Sequence, residues 1–169
     1  NLDRHITNIR DNYGIPAVVS INQFIADTQA EIDLIIEHCR VRGIQVALSS
    51  HWANGGAGAT ELAEMVVELC DADETPANTP HQSFVYPDSA SLFEKVEAVA
   101  TKIYGASEVT ANAKVRTRLR ELADEGHGPL PICIAKTQYS LPTDPALKGA
   151  PSRHPMDIRQ VPFSAGHGF

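Results

Sequence analysis

The sequence predicts an α/β protein: a parallel sheet with flanking helices, followed by a smaller α/β segment of helices and strands. Three observations carry that prediction. Short apolar runs at 17–21 and 44–48 are each followed by a stretch with helical spacing. Thr28-Gln29-Ala30-Glu31 matches a capping box, in which a threonine oxygen and a glutamate satisfy free amides of a first helical turn. Gly14, Gly43 and Gly105 stand where helices should stop. Strands alternating with helices of this length join in parallel through right-handed crossovers.

Each element has its own signal. Residues 2–12 form a helix with Leu2, Ile6 and Ile9 on one side. Pro16 opens the strand at 17–21. After the capping box, Ile32, Ile35, Ile36 and Cys39 make an apolar stripe at helical spacing. Residues 44–48 are the next strand, and a third helix starts at Thr60 with Leu62, Met65, Val66 and Leu69 facing the core. The stretch at 73–88 is rich in Pro, Asn, Thr and Asp without periodicity, and reads as a linker or long loop. Helices follow at 89–104, with Leu92, Val96, Val99 and Ile103 on one face, and at 111–125, with Val115, Leu119 and Leu122. Residues 130–135 read as a short buried strand, expected to lie parallel in the same sheet as the first two. Residues 141–154 form a proline-rich loop, and 157–163 resume a strand. The expected division is an α/β part at 1–72, the linker, and a second α/β segment at 89–169. Both ends lack the polar, low-complexity character of natural termini, so the chain reads as a piece of a longer polypeptide.

Composition narrows the function classes. With 21 acidic against 14 basic residues and a net charge of −7, the chain shows no basic track for nucleic acid. No apolar run approaches the ~20 residues of a membrane span, and the first residues do not form a signal peptide. Cys39, Cys70 and Cys133 are far apart and unpaired in sequence, which suits buried reduced thiols in a cytoplasmic protein. The seven histidines have no metal-ligand spacing and read as surface or loop residues, His51 being nearest the candidate site.

That site is predicted by two loops. Asn22-Gln23-Phe24-Ile25-Ala26-Asp27 and Ser49-Ser50-His51-Trp52 each end an apolar strand in polar groups and a lone aromatic. In a parallel sheet, loops after consecutive strands open on one rim. Phe24 and Trp52 would then offer two flat faces to a ring-shaped ligand; the alternative is that both are core residues. Asn22 and Asp27 could read ring nitrogens and amines, or could bond their own backbone to fix a turn. Gly55-Gly56-Ala57-Gly58 precedes a helix and could receive an anion there, or could serve only as a turn into that helix. Neither G-x-x-x-x-G-K-[ST] nor G-x-G-x-x-G occurs, and there is no G-x-S-x-G elbow. Lys136, Gln138 and Tyr139, in the polar stretch after the strand at 130–135, suit a polar site or a domain contact.

These residues resemble formate–tetrahydrofolate ligase, also called formyltetrahydrofolate synthetase. The resemblance lies in Val18-Val19-Ser20-Ile21-Asn22-Gln23-Phe24 with Asp27-Thr28, in Ala47-Leu48-Ser49 with Trp52-Ala53 and Gly55-Gly56, and above all in Leu130-Pro131-Ile132-Cys133-Ile134-Ala135-Lys136-Thr137-Gln138-Tyr139-Ser140-Leu141. Lys102-Ile103-Tyr104-Gly105-Ala106, Gly149-Ala150-Pro151 and Ser164-Ala165-Gly166-His167-Gly168-Phe169 fit as well, so the match spans nearly the whole chain in order.

The resemblance implies a P-loop NTPase-like fold and an ATP-dependent ligase that joins formate to N10 of tetrahydrofolate through formyl phosphate, giving 10-formyltetrahydrofolate. It implies ATP and Mg2+, with a monovalent cation also allowed, and a parent that is a cytoplasmic homo-oligomer. It assigns the pterin ring to Phe24 and Trp52, and the nucleotide base to the neighbourhood of Asn22, Leu48 and Ser49. No catalytic residue and no metal ligand falls in this stretch, because the family's phosphate loop lies upstream of these motifs. The chain departs from the family at Gln23 and Asn54, where basic residues are usual, and at His51, where an apolar residue is common. A fragment carrying the folate and adenine side of the site, inactive alone, is one expectation. A non-catalytic binding or assembly module that keeps the ligase fold is the other.

Overall fold

The computed structural model describes residues 1–72, 84–135, 141–142, 144 and 146–169. In chain order the elements are α1 (Leu2–Thr7), β1 (Val18–Asn22), α2 (Gln29–Arg40), β2 (Gln45–Ser49), α3 (His51–Asn54), α4 (Thr60–Asp71), α5 (Leu92–Ala98), β3 (Ala106–Ala111), α6 (Ala113–Leu122) and β4 (His154–Ile158). The expected α/β class holds. The chain divides into two compact units, Ile15–His81 and Asn1–Gly14 with Gln82–Phe169.

In the unit Ile15–His81, β1 and β2 pair in parallel with Ile21 beside Leu48 and Asn22 beside Ser49. The expected capping box forms at the start of α2. Thr28 N–H and its hydroxyl both donate to Glu31, at 2.9 and 2.7 Å, and Glu31 N–H donates back to Thr28 Oγ1 at 3.4 Å. The hydroxyl bond, then the backbone bond, hold the Glu31 carboxyl below the usual glutamate value. Ile21, Ile32, Cys39, Ile44 and Ala47 are the buried hydrophobic residues of this unit among those described. The helical stripes are only partly covered: Ile32 and Cys39 are buried while Ile36 is exposed, and α4 has no fully buried residue.

In the second unit, β3 and β4 form another parallel pair, with Val109 beside Met156 and Ala111 beside Ile158. Leu92, Val115, Leu119 and Leu122 make one core cluster, and Ala100, Ala106 and Met156 another. The expected core face of α6 is therefore present, whereas of the face expected for the preceding helix only Leu92 and Val96 are buried, Val99 and Ile103 being half-buried and Ala100 taking the core position. Three helices end in a wider turn than the 3.6 period implies: Asn8–Asn12 after α1, Val99–Ile103 after α5 and Ala123–His127 after α6. The carbonyls that close the α5 segment are satisfied from α1 and the turn after it. Arg4 donates to the carbonyls of Ile103 and Lys102 at 3.1 and 2.6 Å, and Asn8 donates to Ile103 O at 3.0 Å. A cation at a helix carboxyl end also opposes the macrodipole. Gly105 follows at φ +74°, and a Cβ there would press on the Arg4 guanidinium at 3.2 Å.

Several expectations are corrected. The segment at 130–135 is not a strand of the β1–β2 sheet: it belongs to the other unit and joins no ladder among the described residues. The last strand spans His154–Ile158 rather than 157–163, and β3 has no counterpart in the sequence reading. Of the cysteines only Cys39 is buried; Cys70 and Cys133 are exposed, and none of the three forms a disulfide with another. His154 is not a surface residue but is buried at the start of β4, its Nδ1 3.2 Å from Pro151 O. His81, Lys136, Gln138 and Tyr139 lie outside the described residues.

Candidate functional site

The carboxyl ends of β1 and β2 are tied by one bond beyond the ladder: Gln23 N–H donates to Ser49 O at 3.0 Å. Both loops therefore leave the same edge of the pair. Asn22, the last residue of β1, is exposed. The turn after it is closed from both sides, since Phe24 N–H donates to Asp27 Oδ2 at 2.7 Å and Asp27 N–H donates to Phe24 O at 3.1 Å. Of the two roles open to Asp27, the structure displays the turn-fixing one. Thr28 then starts α2 directly.

The second loop folds back on itself. Ser50 N–H donates to Gly58 O at 3.0 Å, while Ala53 and Asn54 N–H donate to Ser50 O. The Asn54 amide also donates to Ser50 Oγ at 3.0 Å. Gly58 fits because it has no side chain: an added Cβ would lie 2.6 Å from the Ser50 carbonyl carbon and 2.7 Å from His51 N. Backbone cannot yield to such an approach without moving the loop. The glycine stretch is thus more than a flexible entry to α4. Sequence reading missed this, because a glycine set by close approach leaves no local signal.

Ser49 is nearly fully buried, and its hydroxyl lies 2.7 Å from His51 Nδ1. Leu48 is half-buried beside it in β2. Phe24 is 49% exposed and Trp52 69% exposed, so neither aromatic is a core residue. The two rings are carried on adjacent loops at one sheet edge.

The second unit holds one polar feature that sequence reading also missed. Lys95 is 1% exposed, and its ammonium donates to Gly128 O at 2.9 Å and Leu130 O at 3.0 Å, 5.7 Å from the centre of the Tyr86 ring. Main-chain carbonyls and a ring face replace the water this cation has lost. Its helical spacing from Leu92 was the sole hint in the sequence. Tyr104, whose hydroxyl donates to Ile134 O at 3.4 Å, has its phenol pKa raised above 10.0 chiefly by burial.

A parallel strand pair with two aromatic-bearing loops at its carboxyl edge places the unit Ile15–His81 among α/β proteins, the class whose ligand crevices lie outside the carboxyl ends of strands. The whole chain, residues 1–169, matches the sequence profile of formate–tetrahydrofolate ligase, and the protein belongs to that family. It is 46% identical over 169 residues to the formate–tetrahydrofolate ligase of Pelagibacter ubique, covering all of this chain and 29% of that one. It is 47% identical to that of Ruegeria sp. over 169 residues and 49% identical to that of Sinorhizobium medicae over 171, again covering 29% of each. The chain therefore spans less than a third of the length of these relatives. Among the described residues no helix is long and apolar enough to cross a membrane.

Proposed function

We propose that this chain is the part of an ATP-dependent formate–tetrahydrofolate ligase that carries the folate and adenine side of the active site. The observation that supports it is the exposure of Phe24 and Trp52 on adjacent loops at one sheet edge, in a chain of this family. In this reading the pterin ring stacks between the two aromatics, and the nucleotide base rests near Asn22, Leu48 and Ser49. Formate oxygen attacks the terminal phosphorus of ATP, ADP leaves, and formyl phosphate forms. N10 of tetrahydrofolate then attacks the formyl carbon, inorganic phosphate leaves, and N10 loses its proton.

The role of these residues is binding and orientation. Buried Ser49 fixes the root of the Trp52 loop, and the Asp27 carboxylate fixes the turn under Phe24. No group of three or more potential metal-ligating His, Cys, Asp or Glu side chains occurs among the described residues, and no step is assigned here to Mg2+ or a monovalent cation. The triphosphate site, with its NTPase-like phosphate loop, belongs to the rest of the ligase polypeptide. The proposed organisation keeps an α/β part, a connecting stretch at 73–88 and a second segment at 89–169, but Asn1–Gly14 goes with the second segment rather than with the α/β part. Lys136, Gln138 and Tyr139 are proposed to serve a polar site or domain contact. The parent is proposed to be a cytoplasmic homo-oligomer of one-carbon metabolism.

The test is tetrahydrofolate binding by the full-length ligase carrying Phe24→Ala, measured by equilibrium dialysis. Loss of one stacking face, ~0.5–1.5 kcal/mol beyond the lost buried area, should weaken binding by about tenfold. Unchanged folate binding would contradict the reading.

A further inference from the structure

In the second unit, two segments line one cleft of about 650 Å3 with consecutive residues: 130–135, and 156–163, which begins in β4. A strand that turns a face to a cavity lines it with every second residue; one that turns its edge lines it with each residue in turn. The cleft is therefore bounded by two backbone edges, with Leu92, Leu119 and Leu122 of the core also lining it.

The segment at 131–135 has the side-chain alternation of a strand but pairs with none among the described residues. Exposure alternates along it, Ile132 and Ile134 packing on the core clusters while Pro131, Cys133 and Ala135 are exposed. Ile132 N–H donates to Tyr86 Oη at 3.3 Å, and Ile134 O accepts from Tyr104 Oη at 3.4 Å. In extended backbone the N–H and C=O of one residue point the same way, and those of the next residue point the opposite way. Neither tyrosine lines the cleft. Ile132 and Ile134 thus direct their main-chain groups away from it, and Cys133 and Ala135 direct theirs toward it. On the other side, β4 pairs with β3 alone among the described residues. An apolar floor between two open edges is a template for one more strand.

We propose that this cleft is the seat of an extended strand, apolar at alternate positions, supplied by the part of the ligase polypeptide outside these 169 residues. The family relatives are long enough to supply it, since the chain covers 29% of their length. The strand pairs with Cys133 and Ala135 on one side and with the edge of β4 on the other. Its apolar residues cover Leu119 and Leu122. The proposal rests on family membership and length, and is independent of the folate reading.

Residue-resolved hydrogen exchange tests it, comparing the 169-residue chain with the full-length ligase. The amides of Cys133 and Ala135 should exchange at nearly unprotected rates in the chain alone, and about a hundredfold or more slower in the full-length protein. The Ile132 amide, already bonded to Tyr86, should change far less. Maleimide modification of Cys133 should slow in parallel. Equal exchange of Cys133 and Ala135 in both proteins would overturn the proposal. So would protection that arises in the 169-residue chain as its concentration is raised, because a second copy would then be the occupant.

Discussion

The carbonyl of Ser49 accepts the amide hydrogen of Gln23 at 3.0 Å, one residue past the β1–β2 ladder. That bond sets the spacing between the roots of two loops, one carrying Phe24 and the other Trp52. Everything proposed for the folate side of the site depends on those loops being held in register rather than moving apart.

Gly58 is where the Trp52 loop is most constrained. Gly58→Ala should destabilise the unit Ile15–His81 by about 1–3 kcal/mol, the usual cost of overpacking, and should shift the emission of Trp52, the single tryptophan. Gly56→Ala is the control, because a Cβ there meets nothing within 4 Å. Its effect should stay within about 0.5 kcal/mol. Urea unfolding followed by tryptophan fluorescence reads both variants. Equal effects would show that the close approach to Ser50 does not constrain the loop.

Thr28→Ala should cost about 1 kcal/mol, the typical loss of a threonine N-cap. The gap from the unsubstituted chain should depend on pH. Glu31 is held below its ordinary value of 4.5 by its bonds to Thr28. A carboxyl with a lowered folded pKa contributes stability above its unfolded pKa and loses it as pH falls through the folded value. The gap should therefore be widest at neutral pH and narrow below about 4.5, toward the lowered Glu31 value. A gap that widens on acidification would contradict the capping box.

Lys95→Met keeps the length and apolar stem of the side chain but removes the donor to Gly128 O and Leu130 O. Leaving buried acceptors without a partner costs about 1–3 kcal/mol. The second unit should lose that much stability, with the fastest added exchange in the segment at 128–132. Loss confined to α5, with that segment unchanged, would show that the ammonium does not hold it.

What the sequence revealed, and what it hid, follows from where the forces act. Thr28 and Glu31 are three residues apart and close their cap locally, so the motif could be read directly. Val115, Leu119 and Leu122 share a helix face, and spacing found them. β3 could not be read, because Ala-Ser-Glu-Val-Thr-Ala has one fully buried residue and gains its strand form from pairing with β4. The reverse holds at 130–135, where the apolar pattern was recognised but no neighbouring strand is present among the described residues. The wide turns that end three helices are set by local backbone geometry that a 3.6-residue period does not encode. At the candidate site, the loops and their aromatics were legible as apolar runs ending in polar residues. The Gly58 approach and the Ser49–His51 bond were not, since both depend on the loop folding back.

The isolated 169-residue chain should form no 10-formyltetrahydrofolate from ATP, formate and tetrahydrofolate. Phosphoryl transfer depends on positioning and neutralising the phosphates, usually with a glycine loop, its lysine and magnesium. The chain contains no such loop motif. A coupled assay at high protein concentration checks this, and sustained product formation dependent on both ATP and formate would overturn it.

The most direct measurement is the steady-state kinetics of the full-length ligase with Trp52→Ala. Removing an indole face from the pterin should raise KM for tetrahydrofolate by about tenfold or more, since ~1.4 kcal/mol is a factor of ten. KM for ATP should change less, because the base is assigned to the neighbouring Leu48–Ser49 backbone rather than to the ring. An unchanged constant for tetrahydrofolate with a raised constant for ATP would give the indole to the other ligand and contradict the account.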